Sequence, residues 1–355
     1  MSARPIRILI VYPSLTTFVQ KDIDMLRSFA EVQEYHFKAA AGLGYVWKFM
    51  RQFFFLMGNI WDKDLVISEF AGYQSVVPAL VVRIIGKPFL IISAGTDAAS
   101  YPSFNYGNYR KAFYRFVTRF SFRRATHISP VHKSLMRSQN QFYPVESEKH
   151  QGINAHVPGL NKAFTAIPYG FDGERWTKGE SVQANSFITV ASIDDSSRYI
   201  LKGVDLILAA ADAFPDCHFT IIGMTYRPER SIPENVEVLP RVANPKLGAY
   251  FQRHEFYFQL SVSEGHPNAL CESMLCGCIP IGSSVTSIPD IIGETGYVLE
   301  KREAAALIDI LKMATTDLEK AKKSQAARQR ILTQYPISRR QNELKALVEK
   351  MVEKS

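Results

Sequence analysis

The chain has 355 residues, which at about 100 to 200 residues per domain gives two compact domains. With 46% hydrophobic and 21% charged residues it can bury full cores, which excludes an acidic disordered chain, a collagen and a disulfide-dense mini-protein. The net charge of +8 is one-sided: residues 1–170 hold 20 Lys and Arg against 10 Asp and Glu, and residues 171–355 hold 22 against 24.

A basic first half attracts polyanions: a nucleic acid, an anionic membrane surface or a phosphorylated substrate. No nucleic-acid-binding module accompanies the charge, so nucleic acid is not expected as a partner. Cys217, Cys271, Cys276 and Cys278 form no CxxC pair, and three crowd one apolar segment. Buried thiols in a reducing compartment are expected, not disulfides or a zinc site. No uncharged apolar run reaches the roughly 18 residues of a membrane span, since residues 45–61 are broken by Lys48 and Arg51. The opening Ile6-Arg7-Ile8-Leu9-Ile10-Val11-Tyr12 is too short for a signal-peptide core and reads as a buried strand. A cytoplasmic protein is expected, with peripheral attachment to the inner face of the cell membrane as a further reading.

Short β-branched runs alternate with helical patterns in both halves, the signature of parallel α/β sheets. In the first half, strands are predicted over residues 6–12, 65–68, 89–93 and 126–129, with helices over 22–29 and 109–124. Residues 143–158 read as a loop, and Ile167-Pro168-Tyr169-Gly170-Phe171-Asp172 as a connector, which places the domain boundary at about residue 170. In the second half, strands are predicted over 187–191, 218–223, 236–239, 256–260 and 279–282, and helices over 204–214, 245–253 and 268–276. A helical, charged pattern follows residue 303, and a last helix of about residues 334–355 is expected to cross back onto the first domain. Two sheets on one hinge imply a cleft faced by the strand-to-helix loops.

Within residues 109–124, Lys111, Arg115, Arg119 and Arg123 recur at every fourth position opposite Phe113, Phe116, Val117 and Phe120. The apolar stripe either packs on the sheet beneath a solvated basic face, or the helix docks on an anionic bilayer with residues 45–61 dipping into the interface.

The most informative segment is Ser261-Val262-Ser263-Glu264-Gly265-His266-Pro267-Asn268-Ala269-Leu270-Cys271-Glu272, a loop entering a helix. Pro267 suits a first helical turn, and Gly265 lets backbone approach a ligand. The amides of residues 265–268 form an anion site favoured by the helix dipole. Glu264 sits at that mouth, and Glu272 is a little over two turns further along the same helix. Carboxylates would repel phosphate, so both glutamates suit sugar hydroxyls. In Ser192-Ile193-Asp194-Asp195-Ser196-Ser197-Arg198-Tyr199-Ile200-Leu201-Lys202-Gly203 a polar loop leads to Lys202, and Arg198 can join it in neutralising a diphosphate without a metal. Asp194-Asp195 reads as a cap or a solvated pair.

The Glu-x7-Glu spacing of Glu264 and Glu272, the Lys202-Gly203 pair, Ile221-Ile222-Gly223, and Ser287-Ile288-Pro289-Asp290-Ile291-Ile292 with Gly296 resemble family-4 retaining glycosyltransferases of the GT-B fold, two Rossmann-like domains facing a central cleft. The resemblance covers about residues 165–300 and is loose before them, where Gly86-Lys87-Pro88 leads into a strand. It implies that Glu272 holds the ribose of a UDP- or GDP-sugar, that Glu264 and the loop Gly265, His266, Pro267 and Asn268 hold donor sugar and phosphate, and that Lys202 with Gly203 holds the diphosphate. It places the base near Pro240-Arg241-Val242. The family's strand-end arginine is replaced by Ser192, with Arg198 the nearby cation, and its first-domain histidine is absent, leaving Asp97 as the nearest polar group. His132 either meets the acceptor or is structural. The implied activity is transfer of a hexose-type sugar, with retention and without a metal, to a glycan or lipid-linked acceptor, with Glu264, Lys202 and Asp97 as the catalytic candidates. A nucleotide-sugar epimerase and a non-catalytic nucleotide-sugar-binding, membrane-docking protein remain as rivals. A dinucleotide oxidoreductase is disfavoured because neither half carries GxGxxG after its first strand.

Overall fold

In β1 (Ile6–Tyr12), Ile8, Ile10 and Tyr12 enter one apolar cluster while Leu9 and Val11 enter another, so both faces of the strand are buried. The computed structural model describes residues 4–40, 42, 44–143 and 145–354; Pro144, inside the predicted loop 143–158, lies outside them. The first lobe continues as α1 (Thr17–Arg27), β2 (Ala30–His36), α2 (Gly44–Asn59), β3 (Leu65–Glu69), α3 (Tyr73–Ile85), β4 (Phe89–Ser93), α4 (Ala112–Arg124) and β5 (His127–Pro130). Its sheet is parallel in the order β2-β1-β3-β4-β5. A small hairpin of β6 (Ser138–Gln139) and β7 (His150–Gln151), then α5 (Ile153–His156), closes the lobe.

Pro78 lies inside α3 and cannot donate to Gln74 O, the carbonyl one turn back. The buried Gln52 of α2 supplies the missing donor, its Nε2 lying 2.8 Å from that oxygen. α4 departs from the expected stripe: Val117, Thr118, Ser121 and Phe122 are buried, whereas Phe113 and Phe116 stand 58% and 62% exposed among the arginines. The Ser75 hydroxyl of α3 donates to Ser121 Oγ at 2.7 Å, and close approach along this small side chain decides which face turns inward.

The second lobe runs β8 (Gln183–Ile193), α6 (Ser196–Leu201), α7 (Val204–Ala211), β9 (His218–Met224), β10 (Val236–Leu239), α8 (Asn244–Phe251), β11 (His254–Gln259), α9 (Asn268–Leu275), β12 (Ile279–Ser283), α10 (Ile288–Ile292), β13 (Tyr297–Leu299), α11 (Ala304–Thr316) and α12 (Lys320–Gln334). Its six parallel strands lie in the order β10-β9-β8-β11-β12-β13, so the direction of winding reverses between β8 and β11. All four cysteines are free and buried.

The last helix, α13 (Ile337–Glu353), lies on the first lobe, where Leu344, Leu347 and Val348 join the apolar cluster of β1, β3 and α1. Its Arg340 is buried and holds the Asp22 carboxylate through Nε and Nη2, while Nη1 donates to Ile167 O at 2.7 Å and Pro168 O at 3.1 Å. The chain crosses between lobes twice, and the crossings are bonded side by side. Phe171 N donates to Tyr335 O at 2.9 Å, and Ile337 N to Phe171 O at 3.0 Å. Among the described residues no helix is long and apolar enough to cross a membrane.

Candidate active site

The reversal between β8 and β11 opens a crevice at their carboxyl ends, and both loops that leave it carry charge. Gly203 starts α7 at φ +71°, and a Cβ there would lie 2.4 Å from Leu260 O. Glycine alone therefore lets the turn after α6 press against the exit of β11. Val262 N donates to Leu201 O at 2.8 Å, which fixes the approach. As a result Lys202 Nζ donates to Glu264 Oε1 at 2.5 Å. The same oxygen accepts from Ser261 Oγ at 2.8 Å and Gln259 Nε2 at 3.2 Å, so one carboxylate is held by three donors at the mouth of the crevice. Asp195 caps α6, its Oδ1 accepting from Arg198 N at 2.7 Å, and the Arg198 guanidinium lies 5.5 Å from the Tyr106 ring of the first lobe.

Beyond Glu264 the chain touches the other lobe: a Cβ on Gly265 would lie 2.0 Å from Ala94 O. Pro267 is the residue that caps α9, not its first helical residue, and it has no N–H. The free amides at this end are thus those of the flanking loop and of the first turn from Asn268 onward. Glu272 is buried one side of α9 and takes both Asn244 Nδ2 contacts, at 3.2 and 3.1 Å, while Asn244 Oδ1 accepts from Arg175 Nη2 at 2.8 Å. Burial raises the Glu272 pKa, opposed by the Asn244 hydrogen bonds and by the charges of Lys21 and Arg175. Lys21 of α1 comes from the first lobe, its ammonium 5.5 Å above the Phe171 ring and its pKa lowered by burial.

Residues 184–317, from β8 through α11, match the family model of glycosyl transferases group 1. No curated protein sequence matches the chain. Among solved structures, sucrose-phosphate synthase from Thermosynechococcus elongatus is similar with a TM-score of 0.74 at 13% identity, covering 99% of this chain and 100% of that one. Anabaena HepE in complex with UDP and glucose is similar with a TM-score of 0.72 at 12% identity, covering 97% and 99%. Trehalose-6-phosphate synthase, studied with bisubstrate glycomimetics for glycosyl transfer with retention, gives 0.67 at 10% identity, covering 97% and 99%. The chain has the GT-B fold.

Within this GT-B frame three expected site residues stand elsewhere. Asp97 is fully buried beneath the loops after β3 and β4: Oδ2 accepts from Ala71 N at 2.9 Å, and Oδ1 from Ser93 Oγ at 2.8 Å and Gly95 N at 3.3 Å. Burial pushes its pKa up to about 6 against those bonds, so it shapes the first-lobe loop and is not presented to the crevice as a catalytic or acceptor group. His266 turns its ring into the hinge, among Tyr169, Phe171 and Tyr335, with centroids 5.2 to 6.0 Å away. Neither ring nitrogen has a hydrogen-bond partner among the described residues, and burial drives its pKa down to about 3, so a donor contact through this ring is not what the geometry provides. His132 accepts from Ser134 N at Nδ1, which leaves Nε2–H to donate to Asp290 of α10 at 3.1 Å across the lobes. It is a fastener between lobes here, with Lys133 3.3 Å from the same carboxylate.

Arg241 and Val242 follow β10, the edge strand of the second sheet. Lys21, Arg175, Asn244 and Tyr106 were not singled out from sequence. Lys21 had a usable signal, since it follows the first strand of an α/β lobe, at the end where ligands collect. Asn244 is brought to Glu272 by the packing of α8 on α9, Arg175 lies in the chain just after the hinge, and Tyr106 comes in through the lobe contact.

Proposed function

We propose that the chain is a retaining glycosyltransferase that moves a hexose-type sugar from a UDP- or GDP-sugar to a glycan or lipid-linked acceptor. The observation that carries this reading is the Lys202–Glu264 contact at the β8–β11 reversal, fixed by Gly203 and backed by Ser261 and Gln259. A diphosphate arriving there takes the Lys202 ammonium, with Arg198 and the α9 amides adding positive field, and frees Glu264 to accept from sugar hydroxyls. Glu272, steadied by Asn244, is suited to a ribose diol. The glycosyl transferases group 1 match over this lobe supports the donor side, as does HepE, solved with UDP-glucose.

In the proposed step the bond from the anomeric carbon to the diphosphate oxygen breaks. The acceptor oxygen bonds to that carbon on the same face, and its proton passes to the departing diphosphate. No side-chain nucleophile and no metal is required: the enzyme's contribution is holding both partners in a closed cleft and stabilising the leaving charge. The cytoplasmic compartment, where nucleotide sugars are made, is the expected setting.

Calorimetry with UDP- and GDP-hexoses tests the reading, using Lys202→Ala and Glu272→Ala. Loss of affinity in both variants, and nucleoside diphosphate released only when acceptor is added, is the expected result. Unchanged binding in both variants, or diphosphate release coupled to sugar epimerisation without acceptor, rejects it.

A further inference from the structure

The helix α2 divides its surface into three stripes. Gln52, Leu56 and the following Ile60 are buried, Gln52 against α3. Trp47, Met50 and Phe54 stand 66%, 47% and 67% exposed along one side of the helix, about 10 Å from first to last at about 1.5 Å per residue, and Trp61, just past the helix end, is 60% exposed. The stripe beside it carries Lys48, Arg51 and Phe55, which line a cavity of about 380 Å³ together with Tyr35 and Lys38 at the end of β2.

The three cations of this cavity have no ion-pair partner among the described residues. Glu34, also at the rim, is already engaged by the Tyr12 hydroxyl at 2.7 Å and by Arg27 at 2.5 Å. A roomy pocket with unpaired cations at one side and a ridge of exposed indole and phenyl rings at the other matches neither a soluble phosphate, which has no use for the ridge, nor a plain apolar partner, which has no use for the cations. It matches a phospholipid at a bilayer surface, where phosphate and acyl region lie side by side. The same layer of the lobe exposes Ile84 of α3 and Phe113 and Phe116 of α4, which extend the apolar contact, and Tyr73 links α2 to α4 through ring contacts of 4.3 Å to Tyr45 and 5.9 Å to Phe113.

We infer that the cavity between β2 and α2 binds the phosphate of an anionic membrane lipid while Trp47, Met50, Phe54 and Trp61 enter the interface beside it. The cavity opens at the carboxyl end of β2, the end of the sheet that faces the cleft, so the bilayer is held next to the acceptor side. This site stands whether or not the cleft transfers sugar.

The chain has three tryptophans, and Trp176 is 2% exposed, so a change in emission on lipid binding reports Trp47 and Trp61. The full chain is mixed with vesicles of phosphatidylcholine alone, of phosphatidylcholine with phosphatidylglycerol, and with inorganic phosphate alone. Flotation and a blue shift with the anionic vesicles only, weakened by salt, is the expected result. Lys48→Gln with Arg51→Gln should weaken vesicle affinity about thirtyfold, at roughly fivefold per basic residue. Trp47→Ser with Phe54→Ser should remove most of the blue shift, and an unchanged circular dichroism spectrum confirms that both variants are folded. The inference is overturned by any of four outcomes: no flotation; equal flotation of the wild type and the Lys48/Arg51 variant; saturable binding of inorganic phosphate without vesicle binding; or a blue shift that tracks self-association in the absence of lipid.

Discussion

Gly95 of the first lobe and Gly265 of the second meet backbone to backbone. A Cβ on Gly95 would lie 3.2 Å from Gly265 N, and one on Gly265 would lie 2.0 Å from Ala94 O. No side chain fits between the lobes at the point where the Glu264 loop arrives.

Gly265→Ala should therefore prop the cleft open. Gly265 is not among the positive-φ residues, so the substitution acts through the lobe contact and not through local backbone strain. Turnover should fall on the order of 100-fold, the scale of a misplacement of about 1 Å at a reacting centre. The radius of gyration measured by solution scattering with donor present should rise, while the melting midpoint moves little.

Gly203→Ala tests the other close approach. A non-glycine residue at φ +71° costs about 1 kcal/mol or more, and the Cβ would drive the turn off Leu260. Donor affinity should drop at least tenfold as Lys202 withdraws from Glu264, whereas Gly86→Ala, also at positive φ but with open space around its Cβ position, should cost stability alone. Calorimetry and thermal melts on the pair separate the two effects.

Arg340→Ala leaves the Asp22 carboxylate buried without its cation and should destabilise the protein by about 3 to 5 kcal/mol in denaturant unfolding. Replacing both, Asp22→Leu with Arg340→Met, should recover most of that loss. Glu69 lies beside this pair, its pKa pushed well above the usual carboxylate range by burial and by the Asp22 charge.

His266 gives a pH dependence of definite sign. Its folded pKa of about 3 lies below the ordinary 6.5, so between those values the unfolded chain binds more protons and stability falls as pH drops. The loss is at most about 5 kcal/mol across that window. His266→Phe should flatten this slope in melts taken from pH 7 to pH 4, and a slope unchanged from wild type would assign the acid sensitivity to other groups.

The buried strands were legible because β1, β3, β4, β9 and β12 are apolar runs. β2 was not: Ala30-Glu31-Val32-Gln33-Glu34-Tyr35-His36 is an edge strand, half-exposed and rich in polar side chains, with no continuous run and a blurred alternation. α3 was hidden by Pro78, whose cost is offset by a glutamine from another helix, a compensation that no local window contains. At the site, local sequence context singled out Lys202 and Glu264 in two separate segments, which the fold brings together. It misplaced His266, since adjacency to the loop does not determine which way a ring turns, and it missed Asn244 and Arg175, which reach Glu272 only through the fold.

The paired crossing at Phe171 and Tyr335–Ile337 has a mechanical consequence. Two bonded strands resist twisting far more than a single tether, and Gly170 fits the pair so closely that a Cβ there would sit 2.7 Å from Ile337 Cα. The lobes can flex like the covers of a book on a stiff spine but have little freedom to swivel. Each return stroke then brings residues 94–95 back onto the same facing loop, so alignment is inherited from the spine and need not be searched for anew.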